Sequence, residues 1–414
     1  MQAQGSLSQI LMQIENTYKT LPTNVKSKKL YYESGDGGWS QGLEESKVMR
    51  SGSRHPTAPT RGNVDVSSSI TTELQATFPL LYAACGSMES TMTGGTMGTA
   101  LTTPSAVIDA VNQLMTVTVT SHGLVVGDSV EIAALTAPTS LNSKIFPVIA
   151  VPTVNTFILR IPMGTTTTFT IGSGTIKKVT AVGTMTHTMK AGGNLPSYVI
   201  EFGFTDIAQY LREMGCKLSN LSFSIGTKGA ISLSTKFVGA TETTATSSFD
   251  SAPLDNGKRS FDNLGIAAAA MLEGGSAVAS ILSIDSITLD NQLDGDTFVV
   301  GGQGTRGAVN AGTYKVSGAV KMIFEDMVMY NKAKNLTESS LDFTITRGTG
   351  AGTDGNESLQ CVINELSYSA KSPAISGPKG VVAEYNFTGF YDNHADGTAL
   401  KFIVKNSVLP GAMI

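Results

Sequence analysis

Two distant stretches of the chain carry the same alternating pattern. "RGNVDVSSSITTEL" runs from Arg61 to Leu74, and "GTYKVSGAVKMIFE" runs from Gly312 to Glu325. With Val66 placed on Val316, 250 positions away, the alternation agrees over six positions, which predicts a strand with one buried face in each copy. The predicted inward residues are Val64, Val66, Ser68, Ile70, Thr72 and Leu74 in the first copy, and Tyr314, Val316, Gly318, Val320, Met322 and Phe324 in the second.

Each strand runs into a segment that can form a short helix. These segments are "QATFPLLYAACG" and "DMVMYNKAKN". Pro79 allows the first helix only a late start, because proline lacks the N–H that a helix interior needs.

A second pair of segments supports the duplication. "IGTKGAISLSTKFVG" from Ile225 aligns with "ISGPKGVVAEYNFTG" from Ile375, and the matched strand positions are 150 residues apart. Any two β-rich sequences show some alternation, but two collinear matches with shared Lys-Gly turns favour a true repeat. The inward positions are Ile231, Leu233, Thr235 and Phe237, matched by Val381, Ala383, Tyr385 and Phe387.

The different offsets of the two matches predict about 100 additional residues inside the first copy. Residues 104–182 form a separate β-rich unit between a Gly/Thr-rich and a Gly/Pro-containing linker. We therefore predict a discontinuous first domain at 1–103 and 183–245, with an inserted domain at 104–182. A linker at 246–280 and a second domain at 281–414 complete the prediction.

The composition excludes several classes of protein. Of 414 residues, 41% are hydrophobic and 15% are charged, which argues against disorder, and the net charge of −4 lacks the basic footprint of a nucleic-acid binder. The apolar stretches are shorter than a membrane span, and the N-terminus lacks the pattern of a signal peptide. Cys85, Cys216 and Cys361 are far apart in sequence, so buried free thiols in a reducing compartment are expected.

No motif of a catalytic or metal site is present. His55, His122, His187 and His394 have no metal-ligand spacing, and no G-x-S-x-G is found. "DNQLDGD" and "GTGAGTDGNES" lack the ligand spacing of a calcium loop. We predict no catalytic residue, no cofactor and no metal, although the paired carboxylates of a polysaccharide hydrolase cannot be recognised in sequence alone.

The region "SGSRHPTAPTRGNVDVSSSITTELQATFPLLYAACG" resembles the early strand region of tail tube proteins from long-tailed, double-stranded-DNA bacteriophages. "GTYKVSGAVKMIFEDMVMYNKAKN" is similar to the same element in a second copy, and "GPKGVVAEYNFTGFYDN" is similar to the last strands of that fold. The unit containing "SHGLVVGDSVEI" resembles a small β-barrel module of phage tail proteins. The doubled tube domain departs from the many relatives that carry one.

The resemblance implies an all-β fold with a few short helices: two tandem tail-tube-like β-sandwich domains and one inserted small β-barrel domain. It implies a non-enzymatic virion protein that self-assembles into stacked rings around a channel for DNA ejection. Because tube domains of this family typically form rings of six, two per chain predict a homotrimer with a pseudo-hexameric ring. The implied partners are further copies, the terminator, tape measure and distal tail proteins, and double-stranded DNA in transit, without membrane insertion. The implied location is the virion tail, with assembly in the host bacterial cytoplasm.

Long polar loops precede both matched strands, and loops of that length in a compact domain usually have a function. We expect them to reach a neighbouring subunit or ring. The candidate assembly residues are Trp39, Arg50, Arg54, Arg61, Asp290, Asp294 and Arg306, and the candidate channel-facing residues are Asp65, Glu73 and Glu325. The alternative function is a β-modular adhesin of a phage fibre or baseplate.

Overall fold

The computed structural model describes most of the chain and confirms the all-β class. The described residues are 2–48, 54–77, 79–101, 104–135, 139–165, 174–370, 372–375, 377–378 and 380–413. Short 3₁₀ turns lie at Gly5–Leu7, Thr139–Leu141, Asn263–Gly265, Ala268–Ala270 and Pro410–Ala412.

The strands and α-helices fall into four groups along the chain. The first group is β1 (Ser8–Ile14), β2 (Lys28–Leu30), β3 (Ser34–Asp36), β4 (Trp39–Glu44), β5 (Thr60–Val66), β6 (Ser69–Glu73), α1 (Pro79–Cys85) and β7 (Ser87–Thr93). The second is β8 (Thr96–Ala100), β9 (Ser105–Asp109), β10 (Leu114–Thr118), β11 (Ser129–Ala133), β12 (Lys144–Thr153), β13 (Thr156–Arg160) and β14 (Thr175–Ala181). The third is β15 (Thr184–Lys190), β16 (Tyr198–Phe204), β17 (Gln209–Ile225), β18 (Ser232–Val238) and β19 (Thr241–Ala245). The fourth is β20 (Met271–Glu273), β21 (Ser276–Ala277), β22 (Ile281–Asp290), β23 (Lys315–Ile323), α2 (Val328–Lys334), β24 (Ser339–Thr346), β25 (Ser358–Ala370), β26 (Val382–Gly389) and β27 (Lys401–Asn406).

One arrangement of strands occurs twice. β17 pairs with β16, β18 and β19, and β25 pairs in the same way with β24, β26 and β27. β6 pairs with β18 as β23 pairs with β26, and β1 pairs with β16 as β20 pairs with β24. We call β1–β6, α1 and β16–β19 the first repeat, and β20–β27 with α2 the second repeat.

The two repeats also share their hydrogen-bonding register. Ile70 lies opposite Thr235 in the first repeat, and Val320 lies opposite Tyr385 in the second, at the offsets of 250 and 150 positions predicted from sequence. A bulge in β17 after Leu218 is absent from β25, which shifts later positions by one residue. Because a one-residue slip would turn every side chain to the other face, shared register is strong evidence of equivalent structures.

The predicted inward faces form the core. All six inward residues of the first copy are buried, and so are Val316, Val320 and Met322 of the second. Long strands β17 and β25 each run from one sheet of their sandwich into the other. Phe223 of the first repeat packs against Phe343 and Phe402 of the second, so one apolar core spans both repeats.

Gly318 shows why the copies differ at one inward position. A Cβ atom there would lie 2.3 Å from both the Phe387 ring and the backbone oxygen of Ser286. No side chain fits at that distance, whereas the first copy accommodates Ser68 at the corresponding place. The first copy is also interrupted between β5 and β6, while β23 is continuous.

The two predicted helices are confirmed. α1 begins at Pro79, where the missing N–H costs nothing, and all of its residues are buried. α2 buries Met329 and Ala333, which are one turn apart on the same face.

Residues 96–181 form a separate seven-stranded sheet, which we call the module. Its strand order is β8-β14-β11-β12-β13-β10-β9, and it has its own apolar core around Phe146 and Phe157. We expected a small β-barrel, and the structure differs. In the described residues the end strands β8 and β9 do not pair with each other, so the sheet is open.

The module is fixed to the rest of the chain through a hairpin and several polar contacts. β7 and β15, which lead into and out of it, pair with each other, and β15 also pairs with β27 of the second repeat. Arg160 donates to the backbone oxygen of Asn194, and the Gly411 N–H donates to Ser129 Oγ at 3.0 Å.

His187 fastens this hairpin to the chain after β27. Its Nδ1 lies 2.8 Å from Ser90 Oγ, and its Nε2 lies 2.9 Å from the backbone oxygen of Val408. Complete burial lowers the pKa of His187 to about 4, so the ring is neutral at physiological pH.

The segment 246–280, which we expected to be a linker, contributes to the second repeat. It contains β20, which pairs with β24, and two of the 3₁₀ turns. The domain boundaries given above stay predictions.

The hairpin β7–β15 offers a direct test of the insertion. Thr93 and Thr184 face each other, so removing residues 95–182 joins them through Gly94–Gly183, a sequence suited to a two-residue hairpin turn. We expect the shortened chain to fold and polymerise, with about 3 kcal/mol lost from the free energy of unfolding because Met185 loses its apolar neighbours. Circular dichroism, thermal unfolding and microscopy measure these properties. Loss of folding would show that the module belongs to the host core.

Candidate assembly surfaces

The two repeats are joined edge to edge by a β-ladder. The C-terminal half of β17 pairs with β22, placing Leu221 opposite Leu289 and Phe223 opposite Ile287. All four side chains are buried. On the other face of the same ladder, the hydroxyls of Ser222 and Thr288 lie 2.9 Å apart. The junction is heterologous, because it uses a different edge of each repeat.

A hairpin-like loop of the second repeat reaches across this junction. We call residues 291–314, between β22 and β23, the second arm. Its two sides meet at Asp294 with Asn310 and at Phe298 with Arg306. At its base, the Asn291 side chain donates to the backbone oxygens of Ala84 and Leu218, both of the first repeat.

Arg306 is the central contact of the second arm. Its guanidinium donates to the backbone oxygen of Gly239 at 2.8 Å and to that of Val66 at 3.4 Å, and it forms an ion pair with Asp65. The same group lies 5.0 Å from the Phe298 ring centroid, in a cation–π arrangement. The residue is 6% exposed, so these bonds form away from water and tie the second repeat to the first.

The first repeat has a corresponding hairpin, whose strand β4 forms no hydrogen bond or ion pair with the other repeat in the described residues. We call residues 37–48 and 54–66, which include β4 and β5, the first arm. β4 is exposed along its length apart from half-buried Gln41, and the side chains of Trp39, Leu43 and Val48 are 46%, 69% and 72% exposed. Exposed apolar residues grouped on one element mark a surface that another molecule covers.

The two arms share a pentapeptide. Thr60–Val64 reads T-R-G-N-V, and Thr305–Val309 reads T-R-G-A-V. Arg61 lies opposite Leu43 in its hairpin, as Arg306 lies opposite Phe298, and the valine of the motif is buried in both arms. Arg61 itself is exposed and makes no side-chain hydrogen bond or ion pair within the part of the chain that the structure describes.

The sequence matches a known protein family over nearly its whole length. Residues 5–389 match the family model of the phage tail tube protein. The chain belongs to that family. No curated protein gives a significant match. The match spans the first repeat, the module and the second repeat up to the end of β26, and it makes this chain a structural component of a phage tail, from a family that is not enzymatic.

The structure places the candidate assembly residues of the tail tube protein in different surroundings. Trp39 and Arg61 lie in the first arm, where Arg54 is also exposed, and Arg50 lies outside the described residues. Asp290 ends β22, and Asp294 is exposed in the second arm. Arg306 donates to Gly239 of the first repeat in the same chain. Their role in assembly stays a prediction.

The candidate channel residues share one sheet face only in part. Glu73 lies on the outer face of β6 and forms an ion pair with Lys258 at 2.8 Å, which holds the pKa of its carboxyl below the usual range. Asp65 is paired with Arg306, and Glu325 is exposed just after β23. Two of these three carboxylates are therefore neutralised by partners within the chain.

The histidines and cysteines of the described residues lie in structural surroundings. No group of three His, Cys, Asp or Glu side chains could hold a metal ion there. The three cysteines are free and buried, as expected, and burial raises the pKa of each thiol. His122 packs edge-on against Phe157 and accepts from the Leu124 N–H at 3.0 Å, which makes it a turn residue.

None of the helices among the described residues is long and apolar enough to cross a membrane.

Two features of this surface were not predicted from the sequence: the equivalence of the arms and the role of Glu213. The repeated T-R-G-x-V motif could have identified the arms as equivalent. No pattern in the sequence points to Glu213. It is buried at the base of the first arm, where its carboxylate accepts the Gly38 N–H at 2.8 Å.

Burial, with a smaller contribution from the nearby carboxylates Glu242 and Asp36, raises the pKa of Glu213 to about 7 despite the hydrogen bond from the Gly38 N–H. The folded state therefore holds this proton more tightly than the unfolded state, whose pKa is near 4.5. The contribution of Glu213 to stability must then fall as the pH rises from about 4.5 to 7 and stay low above that.

Replacing Glu213 by glutamine tests whether ionisation of this buried carboxyl destabilises the folded chain. Glu213→Gln keeps an oxygen that accepts the Gly38 N–H but cannot ionise, so we expect a higher free energy of unfolding than the natural chain at pH 8 and little difference near pH 5. Denaturant unfolding at both values measures this. Glu338→Gln is the matched control, since Glu338 is exposed between α2 and β24, away from Glu213. An equal gain at pH 5 and 8 would contradict the interpretation.

A second prediction concerns Arg306. Arg306→Ala leaves the oxygens of Gly239 and Val66 and the Asp65 carboxylate without this donor, so we expect a loss of about 2–3 kcal/mol from the free energy of unfolding of the unassembled chain. Arg61→Ala is the matched control, with no expected change in the same measurement. Equal stability of the two variants would show that the second arm is not held by Arg306.

Proposed function

We propose that three copies of this tail tube protein form one ring of six quasi-equivalent repeats, and that stacked rings form the hollow tube through which phage DNA passes. The observation that carries the proposal is the heterologous junction of β17 with β22 between two repeats of the same topology and register. A contact of this type generates a ring or a filament when it is repeated from molecule to molecule.

Each chain keeps the two edges that the repeated contact needs. In the described residues, β3 pairs only with β6, so its other edge is unpaired. Within the part of the chain that the structure describes, residues 367–370 of β25 pair only with β26, so the edge equivalent to the junction edge of β17 is unpaired there. An open edge is a template for another strand, and the proposed partner is a second copy of this chain.

The number of chains follows from the number of repeats. Rings of six tube domains are what the family resemblance implies, and two repeats per chain then require three chains. The shared core of the repeats supports this count, because each pair of repeats enters the ring as one rigid unit.

The outer face of the joined sheet supports a role as the wall of the bore. This face runs across the junction and carries mostly small hydroxyl and amide side chains with charges of both signs: Ser69, Thr71, Glu73, Ser234, Lys236, Ser222, Thr288, Ser317, Lys321, Glu384, Asn386 and Thr388. Because DNA is held by dense basic contacts to its phosphates, a surface with few, sign-balanced charges lets it slide. The module would then project outward.

The same proposal covers the partners and the place of assembly. The free edges and arms at the two ends of the tube would meet the terminator and distal tail proteins, and the tape measure protein would occupy the bore before DNA. Assembly would take place in the cytoplasm of the host bacterium, with the finished tube in the virion tail.

The mass of an isolated ring tests the count of chains. We expect about 130 kDa, three times the 43.2 kDa of one chain, because each chain supplies two of six repeats. Native mass spectrometry of rings released from tubes gives this value, and negative-stain microscopy of the purified chain shows whether rings or hollow tubes form. Dispersed monomers at high concentration would contradict the proposed function, and a ring of about 260 kDa would contradict the pseudo-hexamer.

A further inference from the structure

The first arm exposes a position whose equivalent in the second repeat is buried. Trp39 faces Val66 across its ladder as Leu289 faces Val316, so Trp39 corresponds to Leu289. Leu289 is fully buried at the junction, opposite Leu221, whereas Trp39 is 46% exposed. The difference is that β17 of the other repeat pairs beside Leu289, whereas in the described residues no strand of the other repeat pairs beside Trp39.

The same difference holds for the arginine of the shared motif. Arg306 reaches the backbone oxygens of Val66 and Gly239 in the neighbouring repeat. The equivalents of these two residues are Val316 and Gly389, which face each other between β23 and β26. Arg61 is exposed, and its side chain forms no hydrogen bond or ion pair within the part of the chain that the structure describes.

We infer that the first arm docks on the second repeat of an adjoining copy, as the second arm docks on the first repeat of its own chain. Trp39 is buried beside the edge of β25, and the Arg61 guanidinium donates to backbone oxygens at Val316 and Gly389. This inference rests on the proposed function and names the contact that closes the ring.

The docking site on the second repeat differs from its intrachain counterpart in charge. Lys315 stands where the first repeat has Asp65, the ion-pair partner of Arg306. Negative charge is supplied there by Glu365, which accepts the Asp392 N–H at 2.7 Å, and by Asp392 itself. Both lie in or next to the segments that hold Gly389, since the Phe390 N–H donates to the Glu365 backbone oxygen. The interchain contact therefore has its own acidic partners.

The tryptophan gives a readout that needs no substitution. Trp39 is the only tryptophan of the chain, so intrinsic fluorescence reports on this position alone. On assembly of the natural chain into tubes, we expect a shift of the emission maximum to shorter wavelength and a severalfold fall in the acrylamide quenching constant. Unchanged emission and quenching in assembled tubes would overturn the inference.

A pair of cysteines tests the contact directly. The intrachain junction pairs Asn220 with Asp290, and the corresponding interchain pair is Ser369 with Ser40, both exposed. Directly opposed residues of antiparallel strands lie at about 4.5–5.5 Å between Cα atoms, which a disulfide can span. Ser40→Cys with Ser369→Cys should give covalent dimers and then trimers on non-reducing gels after assembly, ending at trimers because the ring closes.

The matched control is Asn220→Cys with Asp290→Cys, which should cross-link within single chains before assembly. Either interchain cysteine alone should give no trimers. Assembled tubes in which the Ser40 and Ser369 variants stay monomeric on oxidation would overturn the inference.

Arginine variants separate assembly from folding. Arg61→Ala should raise the concentration needed for assembly about tenfold or more, as for a central interface residue, while unfolding of the single chain is unchanged. Arg54→Ala, which removes a charge from the same arm outside the shared motif, should change it about twofold or less.

These outcomes distinguish the inference from the proposed function. If the natural chain forms tubes but Trp39 stays exposed, the cysteine pair stays unlinked and Arg61→Ala assembles normally, the inference fails and the proposed function stands. If the natural chain forms no ring or tube, both fail.

Discussion

The structure depends on the pairing of strand edges. A β-sheet ends in a row of unpaired N–H and C=O groups, and the ladder between β17 and β22 satisfies one such row by joining one repeat to the next. The ladder also fixes everything around it: it buries Leu221 and Leu289, it directs the second arm across the first repeat, and it makes one face continuous over both repeats. Burial of each such side chain stabilises by about 1.5–3 kcal/mol, so the junction is as strong as an ordinary core.

Two kinds of contact maintain this junction, and they differ in how strictly they depend on direction. The apolar contacts of Phe223 with Phe343 and Phe402 lie in a shared core and need only complementary shape. The contacts of Arg306 are directional and come from a loop, so they specify which arm sits on which repeat. Together they hold the two repeats of one chain in a single arrangement.

Much of the fold could be predicted from the sequence because it follows from local rules. Alternation at Val64 to Leu74 and at Val316 to Met322 identified the buried faces, and Pro79 identified the start of α1. What alternation cannot show is which strands meet. β7 and β15 lie beside the module in sequence but pair through β15 with β27 near the other end of the chain, a contact set by tertiary packing. The assembly residues were predicted as one class, yet Arg306 is buried and Arg61 is exposed, because Arg306 bonds to the first repeat and Arg61 has no such bonds among the described residues.

The hairpin of β7 and β15 has a mechanical consequence. It begins in the first repeat, adds to the edge of β27 in the second, and is held there by His187, so the two repeats of a chain are clamped in a second place besides their junction. Contacts between chains would have no such clamp. A ring of the proposed kind would therefore have three stiff seams alternating with three compliant ones, and a tube built from it would flex and break with threefold rather than sixfold symmetry.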